Sequence, residues 1–105
     1  MIHESLAAGK WQTMTIAEQL GNAGSEFDRA WAWKQQGEQD KFESALARFL
    51  ELMDMTITDP RWQGNRRKEL SLAKKISDEA LHSGDQRATE DLGKYFLQFA
   101  ILARR

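Results

Sequence analysis

The chain contains no cysteine. That excludes disulfides, thiolate nucleophiles, cysteine-ligated zinc and iron–sulfur clusters, and it suits a cytoplasmic chain. Proline occurs once, at Pro60, so long helices can run elsewhere without a breaker. No apolar run approaches the roughly 20 residues that span a bilayer, and no membrane partner is expected. The first ten residues, MIHESLAAGK, lack the basic stretch and apolar run of a secretory signal. There is no Gly-x-Ser-x-Gly for a nucleophile and no phosphate-cradling glycine loop between a strand and a helix. Neither an internal repeat nor a low-complexity tract occurs. No catalytic residue and no cofactor is implied.

What is present fits one helical domain. The 105 residues suffice for a single modest core, and 10% aromatics, with four tryptophans and five phenylalanines, supply a large apolar payload. Residues 1–12 have weak periodicity and read as a partly ordered lead-in from which Trp11 can dock. Thr15-Ile16-Ala17-Glu18 has capping-box spacing. Ile16, Leu20, Ala23, Phe27, Ala30 and Trp31 then recur at helical spacing, and Gln35-Gln36-Gly37 is a plausible stop. Asp40 and Glu43 resemble a second capping box. Behind them Phe42, Ala45, Leu46, Phe49, Leu50, Met53 and Ile57 form the cleanest amphipathic stripe. Asp59-Pro60 ends that helix, because the residue before proline is pushed towards extended geometry. A third helix starts near Asn65 with a core face of Leu70, Ala73, Ile76, Ala80 and Leu81. A fourth runs from Gln86 or Thr89 to about Ala103 on Leu92, Phe96, Phe99 and Ala103. Short connectors predict an all-α antiparallel bundle of about four helices.

Two glycines break the first helix's pattern. Gly21 and Gly24 each cost about 1 kcal/mol relative to alanine in a helix interior, so a closely approaching backbone is expected to offset them. The polar residues Glu18, Asn22, Ser25, Glu26 and Arg29 recur at three and four. They read as one stripe: a border to that contact, or a small-ligand or metal site. Trp33 cannot share a core with Trp31, two residues away, and is a candidate interface anchor.

Charge is uneven. Residues 1–59 carry five bases against ten acids, net −5, and residues 60–105 carry ten bases against six acids, net +4. Such opposition favours intramolecular pairing or antiparallel self-association. The basic segment Arg61, Trp62, Arg66, Arg67 and Lys68, extending to Lys75, offers phosphate-neutralising and base-stacking groups. A whole-chain net charge of −1 argues against nucleic-acid binding as the main activity. Glu79 and His82 have the Glu-x-x-His spacing of di-metal bundles. Those need two such motifs and further carboxylates, and here there is one, at a helix end. The arginine-to-histidine signature of HEPN ribonucleases is also missing: Lys75 stands seven residues before His82.

The segment Ala17-Glu18-Gln19-Leu20-Gly21-Asn22-Ala23-Gly24-Ser25-Glu26, followed by Arg29-Ala30 and Trp33, resembles a family of short, uncharacterised prokaryotic helical proteins. The similarity continues through Ala45-Leu46 and Leu50-Glu51-Leu52 to Asp59-Pro60-Arg61-Trp62, and covers residues 14–75. It implies a small all-helical protein and carries no catalytic residue over. The resulting expectation is a non-enzymatic interaction protein, a homodimer with a possible further protein partner. A nucleic-acid-associated factor is the alternative.

Overall fold

In the computed structural model, which describes residues 9–105, four helices make up the fold: α1 (Ile16–Gln35), α2 (Gln39–Ile57), α3 (Asn65–Ser83) and α4 (Gln86–Ala103). Residues 1–8 of the expected lead-in lie outside the described residues. A 3₁₀ turn, Trp11–Thr13, precedes α1. The protein is an all-α bundle, with no strand among the described residues.

Local chemistry sets most boundaries. The Thr15 hydroxyl accepts from Glu18 N–H at 3.1 Å, while Glu18 Oε1 accepts from Thr15 N–H at 2.9 Å. This is the expected capping box, which satisfies two donors left free at a helix start. Gly37 takes φ +73° in the turn after α1, a conformation glycine adopts without steric cost. The second expected box does not form. α2 starts two residues earlier, at Gln39, with Glu38 at its N-cap and no side-chain bond there. Asp40 therefore falls within the first turn, where its charge suits the helix dipole. Asp85 caps α4 by accepting from Ala88 N–H at 3.1 Å.

Successive helices run antiparallel, and α4 returns to pack along α1. Glu26 meets Arg48 across α1 and α2, and Asp54 meets Lys74 across α2 and α3. Tyr95 reaches Glu69 across α3 and α4. Helix α1 packs most extensively against α2 and α4, whereas α3 and α4 touch sparingly. The core centres on Phe27, Phe49 and Phe96, whose rings lie 5.4–5.6 Å apart in tilted and edge-on arrangements, geometries that aromatic quadrupoles favour.

Trp11 docks onto the core as expected, with no exposed surface. Two expectations about the core are corrected. Ile76 is 40% exposed, and Ser77 is buried in its place. Both positions fit a period of 3.6, and the sparse α3–α4 contact leaves Ile76 uncovered. Phe99 is only partly buried and Ala103 is exposed.

Candidate functional site

The glycines of α1 have their neighbour within the chain. A Cβ on Gly21 would stand 3.0 Å from Ala100 Cα, and one on Gly24 would stand 2.5 Å from Phe96 Cβ. The close approach expected there is therefore made by α4. At both glycines the small seam is filled inside the monomer by α4.

The polar stripe of α1 is not one surface. Glu18, Gly21, Asn22 and Ser25 border a shallow groove against the end of α4, and Asn22 Nδ2 donates back to Glu18 O at 2.8 Å. Glu26 turns the other way. It is buried beside α2, accepting from Arg48 Nε at 2.7 Å and from Arg29 Nη1. Glu26, Arg29 and Arg48 line a second, polar groove of about 560 Å³ with Trp33, Asp40, Lys41 and Ser44. Lys41 Nζ lies 4.5 Å from the centre of the Trp33 ring and covers it. The residues expected to share one side are split because α4 and α2 flank α1 on opposite sides.

The basic connector is tied into the bundle. Gln19, with no exposed surface, sits at the centre of a buried network. Its Nε2 donates to Trp11 O at 2.9 Å and to Asp59 Oδ2 at 3.0 Å, and its Oε1 accepts from Trp62 Nε1–H at 2.8 Å. An indole N–H only donates and a carboxylate only accepts, so these partners fix the orientation of the amide. Trp11 Nε1–H donates to Thr56 Oγ1 at 3.1 Å. Arg61 donates to Asp59 Oδ2 at 2.8 Å and to Met14 O at 2.7 Å, and its guanidinium lies 4.5 Å from the centre of the Trp62 ring. Arg67 donates to Asp59 O at 2.9 Å, and Arg66 pairs with Glu69 at 3.6 Å. Of the five residues read as a nucleic-acid face, only Lys68 has no side-chain partner among the described residues. The Arg61 and Gln19 bonds hold the Asp59 carboxyl down at about 2.

Trp62 and Trp11 meet at Gln19, and Trp33 stands apart under Lys41 in the wall of the polar groove. His82 lies 3.1 Å from Asp78 and edge-on to Phe42. Glu79 is exposed, and no cluster of metal-binding side chains occurs among the described residues.

The site that stands open lies between α3 and α4. A groove of about 390 Å³ is lined by Leu72, Ala73, Ile76, Ala88, Leu92 and Tyr95, with Glu69 and Asp91 at its rim. The Tyr95 hydroxyl donates to Glu69 Oε2 at 2.8 Å, and burial together with that carboxylate pushes its pKa well above the ordinary tyrosine value. The large apolar side chains most exposed are Leu72 (57%), Ile76, Leu97, Ile101 and Leu102. All five belong to α3 or α4. A single exposed leucine needs no explanation, but Leu72 and Ile76 together in the wall of an apolar groove do. Leu72 escaped the sequence reading because it lies off the core stripe of α3. Tyr95, Ile101 and Leu102 lie beside, not on, the α4 stripe of Leu92, Phe96, Phe99 and Ala103.

Comparison with family models, with curated proteins and with solved structures finds no match to this chain. No helix among the described residues is long and apolar enough to cross a membrane.

Proposed function

We propose that the chain is a non-enzymatic protein-interaction module that self-associates as a homodimer through its α3–α4 face. The observation that carries this reading is the incomplete closure of the bundle: α3 and α4 leave an apolar groove with Leu72 and Ile76 at its mouth. The polar side chains of the connector and of α1, by contrast, are largely engaged with one another. Covering apolar area of this kind is worth roughly 25 cal/mol per Å² removed from water, a driving force that isologous dimers use on identical patches.

Light scattering over a concentration series tests it. The unaltered chain is expected to rise towards twice the monomer mass. Leu72→Glu combined with Ile76→Glu is expected to stay monomeric with unchanged helix content, because both positions are already solvent-facing. A monomer at every concentration, or an equally stable dimer in the double variant, contradicts the proposal.

A further inference from the structure

We infer that the polar groove between α1 and α2 binds a small organic carboxylate, held by the guanidiniums of Arg29 and Arg48. The groove is lined by α1 and α2 alone, so this inference stands apart from self-association through α3 and α4. Glu26 is what brings the two arginines together. It is buried, and it gives one carboxylate oxygen to each: Oε1 accepts from Arg29 Nη1, and Oε2 accepts from Arg48 Nε at 2.7 Å. A guanidinium has five N–H donors, and Glu26 uses few of them. Both Nη groups of Arg48, and Nη2 and Nε of Arg29, have no hydrogen-bond partner among the described residues. Arg48 is only 22% exposed, yet it lines the groove with Arg29. A buried anchor thus holds two cationic forks beside open space. The free Nη1–Nη2 edge of Arg48 matches the two oxygens of a planar carboxylate.

The charge at that end suits a single negative group. Arg29 and Arg48 less Glu26 leave one positive charge, which a carboxylate balances and a phosphate dianion exceeds. The other acids nearby do not fill the forks. Asp40 lines the groove, but it lies eight residues from Arg48 along α2, about 12 Å by helical rise. Glu51 stands one turn beyond Arg48, on the side away from Asp40, and makes no ion pair with it among the described residues. Asp28 lies by Gly93 of α4. Trp33 borders the far end, seven residues from Glu26 or about 10 Å, with Lys41 over its ring. The carbon skeleton of the acid then has an aromatic wall beside it.

Titration of the isotopically labelled chain with benzoate, at constant ionic strength and fixed protein concentration, tests this. Saturable shifts are expected at the side-chain N–H signals of Arg29 and Arg48 and at the Trp33 indole N–H. Benzamide, of the same shape without the charge, is expected to give none, and inorganic phosphate to bind more weakly. Arg29→Gln leaves the Glu26–Arg48 pair in place at an exposed position, so helix content is expected to hold. It should weaken benzoate binding about tenfold or more, the effect of losing a hydrogen bond to a charged group. Arg48→Lys keeps the charge and loses the fork, and a similar loss is expected. The inference is overturned by the absence of saturable shifts at the two arginines or by equal shifts with benzamide. Phosphate binding as tight as benzoate, or undiminished affinity in either variant, overturns it too.

Discussion

At Asp59 a carboxylate with 1% exposure accepts from Gln19, from the Arg61 backbone and from the Arg61 guanidinium. These bonds favour the ionised form, so its pKa falls from 3.8 to about 2 on folding. The sign of the linkage follows. A carboxyl depressed in the folded state contributes stability that is fully present above about pH 4 and is lost as pH falls through about 2. Asp59→Asn keeps the shape but removes the charge. It should cost about 2 kcal/mol at neutral pH, the scale of hydrogen bonds to a charged group. Urea denaturation at a series of pH values checks this: the gap between the two proteins is expected to narrow from pH 4 towards pH 2. A gap that does not change with pH would show that the charge is not what matters. Gln19 shows why this network is hard to read in advance. It lies between Glu18 and Leu20 and looks like a surface residue, and its partner Asp59 is 40 residues away. Asp59-Pro60 was legible as a stop because that effect is local.

Two glycines let α1 approach α4 closely. Alanine at position 24 gains about 1 kcal/mol of helix propensity, but its Cβ would sit 2.5 Å from Phe96 Cβ, so α4 must move. Overpacking of this kind typically costs about 1–3 kcal/mol. Gly24→Ala is therefore expected to lower the unfolding free energy by up to about 2 kcal/mol. Gly21→Ala, whose Cβ meets Ala100 Cα at 3.0 Å, should be closer to neutral because the two opposing terms are of similar size. Thermal unfolding of the two variants side by side tests that order, and a Gly24→Ala protein more stable than the parent would contradict it. The need for a close neighbour was readable from two glycines inside an amphipathic run; which helix supplies it was not. Likewise the stripe of α3 admitted both Ile76 and Ser77 as core, because a period of 3.6 does not choose between adjacent positions. The choice falls to α4, which stands too far from α3 to cover Ile76.

Across the whole molecule α1 is the hub, and the large exposed apolar side chains all belong to α3 and α4. The opposed charges of the two halves are partly answered within the chain, by Asp59 with Arg61 and by Asp54 with Lys74. The glycine seam and the tryptophans, both features that pointed to self-association in the sequence, are used inside the monomer. The case for a dimer rests instead on Leu72, Ile76 and the α3–α4 groove, which only the packing reveals. Dilution of isotopically labelled protein followed by amide and methyl NMR tests this most directly. On passing from high to low micromolar concentration, the largest shift changes are expected at Leu72, Ile76 and Tyr95 and along the exposed side of α3, with α1 and α2 nearly still. Spectra that do not change with concentration, or changes centred on the Glu26–Arg48 groove, would contradict the account.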